Sequence, residues 1–157
     1  MPVVPDDIAG LLAGRPNGTL ATLRKDGRPQ LSVVTYAWYA HDPDREDGRA
    51  MVRISTVDGR AKVINLRRDP RASLLPGSAV GPVTDESGWS YAVVEGRVEL
   101  SPVATVHDDE TVEELIRLYR DASGEHPDWP DYRRAMVDDH RLVARLVVDH
   151  AYGLVRS

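Results

Sequence analysis

Residues 18–40 read GTLATLRKDGRPQLSVVTYAWYA, and this stretch decides the fold. Gly18 to Leu23 reads as a strand, Asp26-Gly27 is among the stronger local hairpin signals, and Pro29 to Ala40 supplies the returning strand. Pro29 stands at the first position of that strand, where its missing N–H costs no interior ladder bond. Leu31, Val33, Thr35, Ala37 and Tyr39 fall on one side of it, while Gln30 and Ser32, two apart, share the other. A tight hairpin of long strands predicts an antiparallel sheet.

The flanking sequence continues that theme. Ile8, Leu11 and Leu12 sit at helical spacing behind Asp6 and Asp7, with Gly14 placed to close a short helix. After a polar turn at His41–Arg49, Ala50 to Thr56 alternates as a third strand, with Val52 and Ile54 set against Arg53 and Ser55. Between Asp58 and Asp69 the period turns helical, with Ala61, Ile64 and Leu66 apolar, and Pro70 stops it before a strand at Arg71–Leu75. Pro76 to Gly88 reads as an exposed hairpin loop, and Trp89 to Leu100 as the longest remaining strand. Two helices follow, at Asp108–Ser123 and at Asp131–His140 with Pro130 at its first position, then a strand at Leu142–Val148. Strands at hairpin spacing outnumber helices and few βαβ crossovers occur. The expected fold is mainly β, a single antiparallel barrel domain over residues 1–157 with peripheral helices.

Composition bounds the function. The 157 residues are 41% hydrophobic and 29% charged, which excludes a disordered tail protein and fits one core. No apolar run approaches the roughly 20 residues of a membrane helix, and the N-terminus lacks the basic start and apolar stretch of a signal peptide, so the expected location is the cytoplasm, away from membranes. The chain has no cysteine, which rules out disulfides, thiol catalysis and thiolate metal sites. A net charge of -5 argues against nucleic acid as a partner. The histidines show no His-x-x-x-His spacing, so no metal site is expected. Gly88-Trp-Ser-Tyr-Ala92 imitates a nucleophile elbow only loosely, inside a strand, and no Gly-x-Gly-x-x-Gly occurs.

Four constellations carry chemistry. Ser55-Thr56-Val-Asp-Gly59-Arg60-Ala-Lys62 joins a strand end to a helix start, with two hydroxyls, helix-terminal amides and two cations suited to a phosphate; the competing reading is a solvated basic turn capped by Asp58. Lys62 and Lys25 are the only lysines in an arginine-rich chain. Arg67-Arg68-Asp69-Pro70-Arg71 reads as a helix end favoured by the dipole, with Asp69 pairing locally, the alternative being a cluster that steers an anionic ligand. Gln30 and Ser32 either hydrogen-bond a polar ring edge in a cleft or face solvent. Trp89 and Tyr91, on one strand face, either stack on a planar ligand, cover a subunit interface, or pack in the core.

The succession Gly18-Thr-Leu-Ala-Thr-Leu, Asp26-Gly-Arg-Pro-Gln-Leu-Ser32, Arg60-Ala-Lys62 and Asn65-Leu-Arg-Arg-Asp-Pro-Arg71 resembles the split β-barrel flavin and deazaflavin oxidoreductases of the pyridoxamine-phosphate-oxidase-like superfamily. The resemblance is nearest to the actinobacterial branch that uses the deazaflavin coenzyme F-420, and it continues through Trp89-Ser-Tyr91, Thr111–Arg120, Gly124–Tyr132 and His150–Leu154. It implies a Greek-key split barrel and a homodimer with two cofactor sites at the subunit interface. It also implies hydride transfer from reduced F-420 to an unsaturated or carbonyl small molecule. An FMN-dependent oxidase or reductase of the same fold, or a non-catalytic carrier of F-420 or flavin, are the alternatives. Arg60 and Lys62 match the family's phosphate-binding cations. Ser55 and Thr56 match positions beside the ring and ribityl chain, Gln30 and Ser32 positions near the ring, and Asn65 lies one helical turn beyond the cations. Trp89 and Tyr91 are expected to reach the ring or tail from the other subunit. Val33 and the loops at residues 41–49 and 76–87 depart from the family pattern.

Overall fold

The structure, a computed structural model, describes residues 3–15, 17–77 and 90–155. Of the loop expected at Pro76–Gly88, only Pro76 and Gly77 fall among these, and Trp89 lies outside the described residues. In chain order the elements are α1 (Asp6–Ala13), β1 (Asn17–Leu23), β2 (Pro29–Tyr39), β3 (Met51–Val57), α2 (Ala61–Arg68), β4 (Arg71–Pro76), β5 (Tyr91–Leu100), α3 (Glu110–Ser123), α4 (Trp129–Asp138) and β6 (Arg141–Leu154). The six strands close an antiparallel barrel in the order β1-β2-β3-β6-β5-β4. No described helix is long and apolar enough to cross a membrane.

The strand periodicity fills the barrel. Leu20, Val34, Tyr36, Val52, Ile54, Leu74, Val94 and Leu146 are buried together inside it. The short helix α1 joins the same core through Ile8 and Leu12, and the buried Tyr36 hydroxyl donates to the Leu12 carbonyl at 2.6 Å. One glycine is required by contact: at Gly96, where the β5/β6 register shifts, an added Cβ would lie 1.8 Å from the Val147 carbonyl oxygen.

Three features differ from the sequence reading. β6 runs on through residues 149–154, because Tyr91 to Glu95 pair with it beyond the register shift; Asp149 and Gly153 hide that extension from any alternation rule. Helix α2 turns Ile64 outward and buries Val63, Asn65 and Leu66 instead. Helix α4 begins at Trp129, with the Asp128 carboxylate accepting from the Asp131 N–H.

Helix α3 lies outside the barrel and builds a second core, in which Val112, Leu115, Ile116 and Leu118 meet Ala37, Val143, Tyr132 and Met136. This layer also buries charge. Arg53 points outward from β3 and is only 2% exposed; its guanidinium bonds Glu114 of α3 at 2.9 Å and Asp42 at 3.1 Å. Arg145 of β6 also donates to Glu114, and Arg45 reaches from the 41–49 turn to Glu99. Burial alone would raise the Glu114 carboxyl, but the Arg145 and Arg53 guanidiniums outweigh it and hold the group below its ordinary 4.5.

Glu114→Gln therefore leaves two guanidiniums short of a counter-charge. It should cost about 3 kcal/mol in urea unfolding at neutral pH, the lower end of such losses because Arg53 keeps Asp42. Since the folded group titrates below 4.5, its contribution is complete above that pH and fades as pH falls through the lower folded value. The stability gap between wild type and variant should then narrow in acid, and a gap that stayed constant well below pH 4.5 would contradict this role.

Candidate functional site

β2 has two partners along its length, and the site lies where it changes from one to the other. Residues 29–35 pair with β1, whereas only Tyr36 to Tyr39 pair with β3, ending at Tyr36↔Ile54. Ser55 to Val57 meanwhile pair with β6 on their other side. Beyond Tyr36 the two strands part, and their facing backbone edges have no ladder between them. A cavity of about 500 Å³ occupies the gap, with Val33, Val34 and Thr35 on one side and Ser55, Thr56 and Val57 on the other.

Local chain geometry supplies the charge. The turn Val57–Arg60 carries Gly59 at φ 82 and is closed by the Arg60 N–H donating to the Val57 carbonyl at 3.3 Å. Arg60 is thereby the N-cap of α2 and Lys62 lies in its first turn, both lining the cavity. Asp58 does not cap the helix; it pairs with Arg67 at 2.7 Å, and no side chain caps α2. The third cation comes from β6: the Asp58 N–H donates to the His140 carbonyl at 2.9 Å, His140 takes φ 53, and Arg141 enters the strand opposite Val57. Among the described residues, no carboxylate lines this cavity. Burial first, then the neighbouring Arg60 and Arg141 charges, push the Lys62 ammonium below its usual range.

The far wall is apolar and aromatic. Leu118, Tyr119 and Ala122 of α3 and Tyr132 and Met136 of α4 line it. Tyr119 stands edge-on to Tyr132 at 5.2 Å and to Trp129 at 5.7 Å, and His126 completes the cluster at 5.3 Å from Tyr132. The Tyr132 hydroxyl donates to the Leu115 carbonyl at 3.1 Å, and burial pushes it up to about 12. The cavity is thus cationic at one end and apolar at the other, suited to an anionic group attached to a flat apolar body.

The structure brings Ser55, Thr56, Arg60 and Lys62 together on this cavity. Gln30 and Asn65 meet each other instead, through the Asn65 amide donating to the Gln30 side-chain oxygen at 2.7 Å and to Thr22 at 3.1 Å. Ser32 is half-buried on β2 opposite Leu20. Tyr91 stands exposed at the start of β5, paired with Leu154. Arg141, Tyr132 and Met136 were not singled out by the sequence. Nothing near residue 141 marks a site, because its neighbour Ser55 lies 86 positions away and only the β3/β6 register joins them.

The sequence model of the pyridoxamine 5'-phosphate oxidase family matches residues 4–153 of this chain. Among solved structures, a conserved hypothetical protein of Mycobacterium tuberculosis superposes with a TM-score of 0.66 at 25% identity, covering 98% of this chain and 87% of that one. An F-420 reductase superposes at 0.64 with 21% identity, covering 95% of this chain and 98% of that one. A heme-binding protein of Mycobacterium smegmatis gives 0.62 at 21% identity, covering 94% of this chain but 52% of that one. The last two likenesses speak for the fold, and their different ligands leave this cavity to be read from its own residues.

The Asn65 network can be tested without any ligand. Asn65 is buried, and its side-chain oxygen also accepts from Arg68 at 3.1 Å. Asn65→Ala strands the buried Thr22 hydroxyl and should lower stability by about 1–3 kcal/mol in a urea melt. A variant as stable as wild type would mean that water replaces these bonds at no cost.

Proposed function

Since this chain belongs to the pyridoxamine 5'-phosphate oxidase family, we propose that it is an oxidoreductase that uses the deazaflavin coenzyme F-420 to reduce an unsaturated or carbonyl small molecule. The observation that carries this reading is the cavity between β2 and β3, where Arg60, Lys62 and Arg141 gather without a carboxylate among the described residues. By contrast, the buried Arg53 and the half-buried Arg145 are neutralised by Glu114 of α3, and Arg67 pairs with Asp58. Partly buried positive charge left uncompensated is costly, and a bound anion relieves it.

In this reading Arg60, Lys62 and the uncapped N-terminus of α2 hold the phosphate. Ser55 and Thr56 offer hydroxyls to the adjoining polyol chain. Gln30 and Ser32 border the ring, with Asn65 fixing the Gln30 amide through their mutual bond. When bound, the deazaflavin supplies the hydride that reduces the substrate. Leu118, Tyr119, Ala122 and Met136 exclude water from the apolar end, where a flat substrate is held against the ring. The Tyr132 hydroxyl is committed to the Leu115 carbonyl, so the completing proton comes from solvent.

A second copy of the chain completes the site. Leu31, Val33 and Leu75 stand outward and are 66%, 57% and 42% exposed, and the register sets Leu75, Thr19 and Val33 in one row across β4, β1 and β2. Val33 belongs both to this apolar face and to the cavity rim, so a partner covering the face also covers the opening. In this reading Tyr91, exposed at the start of β5, reaches the partner's ligand.

Two measurements test the reading. Fluorescence titration at fixed salt should give F-420 at least about tenfold tighter than FMN, a gap of about 1.4 kcal/mol. Lys62→Ala should weaken F-420 binding roughly 10- to 150-fold, whereas Arg67→Ala, which removes a charge already paired with Asp58, should change it by less than about threefold. FMN bound equally well or tighter would transfer the site to flavin, and equal losses for the two variants would replace the cradle by a diffuse basic field. In sedimentation the chain should be a dimer at micromolar concentration, and Leu31→Asp should give a monomer with weakened cofactor binding. A monomer that binds cofactor normally would remove the interface site.

A further inference from the structure

We propose that His126 is a protonation-sensitive positioning residue: neutral, it holds the helical wall of the cavity in place, and protonated, it releases that wall. The observation is a bond that only an unprotonated ring nitrogen can make. The Asp128 N–H donates to His126 Nδ1 at 2.9 Å, so this nitrogen carries no proton and the ring's other nitrogen does. Asp128 in turn begins α4. Its carboxylate accepts from the Asp131 N–H at 3.1 Å, and its carbonyl accepts from the Tyr132 N–H at 3.0 Å. Tyr132 and, one turn further on, Met136 line the cavity. One imidazole nitrogen thus fixes the residue from which this part of the wall is hung.

The sequence confines this joint to a few residues. Gly124, at φ 85, ends α3, and Pro127 disfavours helical backbone at His126. The imidazole is half-buried, with its centroid 5.2 Å from Tyr119, 5.6 Å from Trp129 and 5.3 Å from Tyr132. The titratable and charged groups around it are Tyr119 and Arg120 of α3, Glu125 and Asp128 of the connection, and Asp131 and Tyr132 of α4. Its neighbours are already engaged. Glu125 accepts from Arg120 Nε at 3.0 Å and from Trp129 Nε1 at 2.9 Å, and Asp131 pairs with Arg134. Burial pushes the Tyr132 hydroxyl up to about 12, so it keeps its proton and its bond to the Leu115 carbonyl. A proton added at Nδ1 sets two N–H groups against each other. The remaining acceptor is the Asp128 carboxylate, which must leave the N-terminus of α4 to take that proton's bond. Either response loosens the first turn of α4, so the wall is held at higher pH and released as pH falls.

Carbon-13 labelling of methionine methyl groups reports on the wall directly, since Met136 is one of three methionines in the chain. In an NMR titration from about pH 7.5 to about pH 5.5, the range in which imidazoles gain a proton, the Met136 methyl and the His126 ring should shift with one midpoint. The protection of the Asp131 and Tyr132 amides against hydrogen exchange should fall about fivefold over the same range, as the loss of one hydrogen bond implies. His126→Asn places a side-chain oxygen near the position of Nδ1 and does not titrate, so its amides should stay protected throughout. His126→Phe keeps an aromatic ring without the acceptor and should show the low protection throughout. A wild-type protein that does not respond, an Asn variant that responds as wild type does, or a Phe variant as protected as wild type at about pH 7.5 would each overturn the proposal. Different midpoints for His126 and Met136 would overturn it as well, a result readable even if neither variant folds. No ligand enters these measurements, so their outcome is separate from the cofactor reading: the wall can respond whether or not F-420 binds.

Discussion

The cavity exists because β2 pairs with β1 and with β3 over different residues. Its first seven residues, 29–35, are bonded to β1 and its last four, 36–39, to β3, so that beyond Ile54 β3 keeps its pairing with β6 but has no ladder to β2. Strand edges that part inside a closed barrel expose backbone groups and leave space that the strands' own side chains do not fill. Everything at the site is placed by that divergence. The turn after β3 aims α2 and its cations at the gap, β6 brings Arg141 alongside, and α3 with α4 roofs the remainder with apolar and aromatic side chains.

Charge is handled in two opposed ways along β3. Arg53, on the outward face, lies under α3 with Glu114 and Asp42, and this compensated cluster ties the 41–49 turn, α3 and β6 to the barrel. Ser55 and Thr56, two and three residues further on, border cations that have no acid partner among the described residues. A buried charge with its counter-ion is a structural joint, whereas the half-buried Lys62 and Arg141, which have none among the described residues, are unfinished interactions. The first kind orders the scaffold and the second gives the scaffold an affinity.

The outer surface repeats this division for apolar groups. Met51 and Val147 point out of the barrel yet are buried, on strands that the 41–49 turn joins through Arg49 bonding the Val148 carbonyl. Leu31, Val33 and Leu75 point out and have nothing over them among the described residues. Both sets look alike in sequence, since each is an apolar residue at an alternating strand position. Their fates differ because other segments of the chain pack over one set and leave the other exposed.

The hairpin at Asp26-Gly27, the barrel class, the two long helices and the grouping of Ser55, Thr56, Arg60 and Lys62 were legible in the sequence, because each depends on residues within one turn or one strand of each other. The extension of β6, the outward turn of Ile64, the burial of Arg53 and the diversion of Asn65 to Gln30 and Thr22 were not legible. Local pattern says which residues alternate but not which face another element will cover. Arg141 illustrates the boundary most simply: alone it is one arginine among many, and it becomes part of a site only through the register of two neighbouring strands that brings it to Ser55. The sequence by itself determined the elements and the cations nearest the turn. The tertiary structure decided which charges are compensated and where the strands part, because both depend on contacts between segments distant along the chain.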